Sequence, residues 1–203
     1  MSTRIMSLRR LLCVALPAAA LMAVAPMAAH AQATHIRGTL SAVTDHDVTV
    51  TTHAGKKVEV PTTDKTGIFL VTKADMSAVK SGKFVGITSV ERNGKPVAEE
   101  VHVFADSLRG LAEGHYPWDR DSETNMMTNA NIAKIESVGG ADVLKLDYKG
   151  GEQTITVPPD AAIVEFNPGT RADLKTGRQV FAIERDGKTV AIVVGADGVK
   201  PPM

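Results

Sequence analysis

His115, Asp119, Met126 and Met127 are the residues whose types and spacing could hold a metal, and Glu113 lies beside them. Imidazole with thioether suits copper, and imidazole with carboxylate suits zinc, although this spacing matches no recognised ligand motif. The same stretch, Glu113-Gly114-His115-Tyr116-Pro117-Trp118-Asp119, contains the only Trp and one of the two Tyr. Packing explains these residues as well as chemistry does. Trp118 and Tyr116 would bury apolar area against neighbouring elements with their polar tips bonded at the surface. Pro117 would pre-set the turn, and Asp119 would accept a hydrogen bond from Arg120 or a backbone amide. If the stretch binds a ligand, His115, Tyr116, Trp118 and Asp119 are its candidate contacts. A hydrolase built on linker carboxylates and His115 is a third reading. The chain has no nucleophile elbow, phosphate-cradling Gly loop, Cys ligand pair or His-Glu-x-x-His, so it reads as non-enzymatic. His35, His46, His53 and His102 are expected at the surface, on strand ends and turns.

The elements that must position these residues are mostly strands. Ile36 to Val43 alternates, Thr44-Asp45-His46-Asp47 turns, and Val48-Thr49-Val50-Thr51-Thr52 continues with its valines on one face. Lys57-Val58-Glu59-Val60 alternates again until Pro61 stops it, and Ile68-Phe69-Leu70-Val71 is wholly apolar. Thr72 followed three residues later by Asp75, with Gly82 further on, predicts one short capped helix between Thr72 and Ser81. Phe84 to Val90 and Val97 to Phe104 read as a strand pair around Asn93-Gly94, a dipeptide that tolerates the positive φ of a tight hairpin.

The second half repeats this order. Val157-Pro158 answers Val60-Pro61, Thr170-Arg171-Ala172-Asp173-Leu174 answers Thr72-Lys73-Ala74-Asp75-Met76, Lys175-Thr176-Gly177-Arg178 answers Lys80-Ser81-Gly82-Lys83, and Asp186-Gly187-Lys188 answers Asn93-Gly94-Lys95. Markers in one order at nearly constant spacing indicate an internal duplication. Three strands, a short helix and two strands is the order of the OB-fold, a small Greek-key barrel. The expectation is therefore an all-β protein of two tandem OB-like barrels, residues 32–104 and 128–198, joined by an ordered aromatic linker at 105–127 and followed by a tail at 199–203. Cores this small are marginal, so the copies should pack on each other and on the linker.

Residues 1–31 stand apart. Arg4, Arg9 and Arg10, an apolar run from Leu11 to about Met27, and Ala29-His30-Ala31 form a secretory signal peptide cut near Ala31, or alternatively after Ala33. Setting these residues aside leaves 20 basic against 23 acidic residues, near −3, with no basic patch, which argues against nucleic acid. The only cysteine, Cys13, lies within that signal, so no disulfide follows it. No later stretch approaches the ~18 apolar residues of a membrane span. A periplasmic protein that binds a protein, peptide or glycan fits this profile, with copper or zinc binding as the alternative.

The linker Arg109-Gly110 … Glu113-Gly114-His115-Tyr116-Pro117-Trp118-Asp119 … Met127-Thr128-Asn129-Ala130, together with the end Asp197-Gly198-Val199-Lys200-Pro201-Pro202-Met203, resembles small exported bacterial proteins of unknown function in which OB-like repeats flank such a strap. The resemblance implies the fold and export, and no activity. Such sequences sometimes carry the label of a metal ABC transporter permease. This chain does not support that label, because a permease needs several membrane-spanning helices.

Overall fold

The computed structural model describes residues 33–120, 125–196 and 198–201. The expected signal peptide, linker residues 121–124 and the last two residues of the tail lie outside them. The fold is all-β. The first meander is β1 (Thr34–Val43), β2 (Asp47–Thr52) and β3 (Lys57–Pro61); β4 (Gly67–Lys73) follows, then the hairpin β5 (Phe84–Arg92) and β6 (Lys95–Phe104). After the linker strand β7 (Gly114–Trp118) the order recurs as β8 (Asn125–Val138), β9 (Ala141–Tyr148), β10 (Gly151–Val157), β11 (Ala162–Pro168), β12 (Gln179–Arg185) and β13 (Lys188–Gly195).

The ladders do not follow the repeats. Meander β8-β9-β10 pairs with β5-β6 of the first repeat, through β8 antiparallel to β5. A parallel contact of β10 with β6, Thr156 opposite Val97, closes these five strands into a barrel. Meander β1-β2-β3 pairs with β12-β13 of the second repeat, through β1 antiparallel to β12. The sequence placed one barrel within residues 32–104 and another within 128–198, whereas each five-strand set takes three strands from one repeat and two from the other. The reason lies in β4 and β11. They pair antiparallel with each other, Val71 opposite Phe166, and in parallel with β13 and β6, so they bridge the two sets and each is followed by a hairpin in the other set.

The ladders of the two halves correspond in detail. Bulges interrupt β1–β2 between Leu40 and Ala42 and β8–β9 between Ile132 and Lys134. Another pair interrupts β5–β6 at Thr88/Ser89 and β12–β13 at Ile183/Glu184. The hairpin dipeptides agree too: Asn93-Gly94 has φ of 52° and 72°, and Asp186-Gly187 has 51° and 69°. Those positive angles match the twist of flanking strands, which is why Asn-Gly and Asp-Gly recur there.

The expected helices are three-residue 3-10 turns, Met76–Ala78 and Arg171–Asp173. Asp75 caps the first by accepting from the Ser77 amide, and Thr170 and Asp173 form a capping box around the second. Asp75, and not Thr72, therefore corresponds to Thr170. Each turn delivers one apolar plug. Val79 enters the core of the closed barrel with Val85, Ile87, Val101 and Leu144, and Leu174 enters that of the other set with Leu40, Val48, Val60 and Ile192. A third core lies between the sets, where Val71, Phe84, Phe104, Phe166 and Phe181 pack together with the half-buried Trp118. The strand β5 is buried on both faces from Phe84 to Val90, as a strand between two cores must be.

Candidate functional site

The linker is a strand where the sequence showed no alternation. β7 runs antiparallel to the start of β8, with His115 opposite Thr128, Tyr116 opposite Met127 and Trp118 opposite Asn125. Side chains of a strand alternate in direction, and this decides the fate of every expected site residue. His115 faces one way: its Nδ1 is 2.8 Å from Thr128 Oγ1 and its ring stacks 6.2 Å from Tyr148. Burial lowers its pKa. Together with Met126, Ser89, Arg92 and Gln153 it lines an open cleft. Tyr116 and Trp118 face the other way, with Met127, into a separate apolar cavity of about 270 Å³.

The four residues that could have held a metal are thereby divided. His115 and Met126 share one cleft, Met127 borders the other cavity, and Asp119 is bound elsewhere. Among the described residues no three of His, Cys, Asp and Glu converge as a ligand group. Glu113 accepts a hydrogen bond from the Lys149 amide at 2.9 Å.

Two consecutive residues of opposite charge fasten the end of β7. Asp119 bonds to His35 Nδ1 and accepts from Arg37 at 3.2 Å, while its backbone oxygen accepts from Arg37 at 2.9 Å. Burial works to raise the Asp119 pKa, but hydrogen bonds and positive charge from Arg37 and His35 together hold it below the ordinary value. The His35 ring lies 4.8 Å from Trp118 and 5.0 Å from Phe181. Arg120 points to β6 and sits 2.6 Å from Glu100 Oε1 and 3.6 Å from Glu99. Asp119 thus pairs with β1, and not with Arg120 as the sequence allowed.

The cavity lies between this strap and the central strands. Phe69 of β4, Phe166 of β11, His102 and Phe104 of β6, and Ala191 and Val193 of β13 form its floor, and Leu111, Ala112, Tyr116 and Trp118 its roof. Tyr116 is fixed by Asn129, whose Nδ2 donates to its hydroxyl at 3.3 Å and to the Leu111 carbonyl at 3.1 Å. Burial raises the Tyr116 pKa against the opposing field of Arg185. Trp118 Nε1 and Asn129 Oδ1 are buried with no hydrogen-bond partner among the described residues. Leu111 and Val190 are 38 % and 40 % exposed, and with the exposed Arg185 they mark the mouth.

His102 and Glu100 are the residues that sequence reasoning missed. Instead of lying at the surface, His102 is 2 % exposed, Glu100 is 3 % exposed, and His102 Nε2 is 3.5 Å from Glu100 Oε2. The signal was present in β6: Glu100, His102 and Phe104 share one face, while Val101 and Val103 fill the other. His46 and His53 are exposed, as expected, and His35 is half-buried under Trp118. Fold and site together define an all-β protein with a closed five-stranded barrel and an aromatic cavity roofed by a strap. No family model, curated protein or solved structure matches the chain. Among the described residues no helix is long and apolar enough to cross a membrane.

Proposed function

We propose that this chain is a non-enzymatic, exported binding module, and that it seats an apolar group of its ligand in the cavity beneath the strap. Export rests on the character of residues 1–31, with the periplasm as destination. Each five-strand set is OB-like, with its last two strands exchanged between repeats. Support for that reading comes from pairing order: a three-strand meander, an antiparallel link from its first strand to a hairpin, and in one set a parallel closure. The observation that carries the binding role is the cavity itself, about 270 Å³ with aromatic side chains on floor and roof and two exposed apolar residues at its mouth. A cavity of about 150 Å³ lined by apolar side chains accepts benzene, so this one has room for roughly ten heavy atoms. Its lining favours the apolar portion of a peptide or similar ligand over a bare sugar, because few polar groups are available to replace lost hydration.

Trp118 is the only Trp, so its fluorescence reports on the cavity. Titrating the purified protein with 1-octanol should give a saturable change in emission. Ala191→Phe, which fills the floor, should abolish that change while the protein still melts cooperatively. A response that never saturates, or one that survives Ala191→Phe, sinks the reading.

A further inference from the structure

The cavity is mainly apolar, with His102 and Asn129 among its lining, and electrically one-sided at its mouth. Among the described residues that line it none is acidic, and Arg185 is the one with a permanent charge. Arg185 ends β12 and stands opposite Lys188 across the hairpin, so a second cation flanks it. Asp186 occupies the tight turn between them, while Ile183 and Arg185 both line the cavity. Glu113, which follows the lining residue Ala112 in the chain, accepts from the Lys149 amide. Arg185 also lies close enough to Tyr116 for its charge to oppose the burial of that phenol. An arginine whose guanidinium stays ionised, placed where an apolar cavity opens to water, offers paired donors to a carboxylate or similar anion.

We propose that the ligand is an amphipathic anion: an apolar chain or ring lies under Tyr116 and Trp118, and a carboxylate-type head group binds Arg185 at the mouth. This rests on the cavity being the binding site and adds the chemical class of its occupant. The depth of the site follows from the same geometry. Phe69, Phe166 and Val193 make much of the floor, so the tail meets mainly apolar surface once inside.

The test compares octanoate with octanamide, two ligands of one size that differ in charge, by calorimetry and Trp118 fluorescence. Octanoate should bind about fivefold tighter, as an ion pair near water allows. Arg185→Gln should remove that preference and leave octanamide affinity within about twofold, since the change loses the charge and keeps the exposed position. Equal binding of the two ligands, or a preference that survives Arg185→Gln, overturns the anion assignment while leaving the cavity as the site. Binding of neither ligand overturns the cavity reading and the assignment with it. Loss of both ligands in Ala191→Phe, with an unchanged melting profile, supports both.

Discussion

The two hairpins that cross between strand sets meet the central core at equivalent positions and do opposite things there. Two residues before its bulge, β12 has Phe181 opposite Arg37 and Val193; two residues before its own bulge, β5 has Gly86 opposite Asn129 and His102. On the β12 side the ring fills the space. Phe181 is 1 % exposed, the Arg37 guanidinium lies 4.7 Å from its centroid, and His35 packs beside it. On the β5 side the space is given to polar atoms: a Cβ on Gly86 would sit 2.6 Å from Asn129 Oδ1 and 3.0 Å from the Phe104 ring. The two strand sets thus share one ladder pattern and divide the work. One set packs the centre, and the other carries buried His102 and Asn129 at the cavity, with Glu100 beside His102. Equivalent backbone positions accept different side chains when the ladders are intact.

Three substitutions sharpen or break this comparison. Phe181→Ala should cost about 3–5 kcal/mol in denaturant unfolding, since it leaves a large void in the packed half. A loss under about 1 kcal/mol would mean that the filled half contributes no more than an exposed site. Gly86→Ala should cost about 1–3 kcal/mol by forcing Asn129 and Phe104 to shift. Adding Asn129→Ser should recover part of that loss, because the two changes share one clash; strict additivity would show that the crowding lies elsewhere.

The smallest effect concerns the strap anchor. A carboxylate whose folded pKa is depressed contributes stability above its unfolded value and loses it as pH falls through the folded one. For Asp119 that window lies below its ordinary value of 3.8. Its side chain is 57 % exposed, so solvent screening limits the contribution. Asp119→Asn should therefore cost no more than about 1 kcal/mol at neutral pH, with a flatter loss of stability below pH 3.8 than the parent. An identical acid limb in both proteins would place the strap's hold in Trp118 packing instead of the Asp119 pairs.

Much of this was legible in the chain before its structure. The alternation in Ile36–Val43, the Asn93-Gly94 and Asp186-Gly187 hairpins, and the matching Gly82 and Gly177 mark elements whose local chemistry has few solutions. The capped turns were legible as caps but not as 3-10, since the next residues, Val79 and Leu174, are drawn into cores at once and no second turn forms. The linker strand was hidden because β7 borrows its order from β8: Gly114-His115-Tyr116-Pro117-Trp118 has no apolar alternation of its own, and its ladder supplies the register. The metal grouping of His115, Asp119, Met126 and Met127 looked plausible by proximity, and the strand's two-residue period separated it.

Residue types and local spacing, then, determined the strands and the tight turns, because each rests on contacts within a few residues. They could not determine which hairpin joins which meander. Exchanged and unexchanged arrangements satisfy the same local preferences and the same alternation, and only long-range pairings such as β5 with β8, β1 with β12 and β4 with β11 select between them. The cavity follows from that choice, since its floor is assembled from β4, β6, β11 and β13 and its roof from a strap held by Asp119 on β1 and Arg120 on β6.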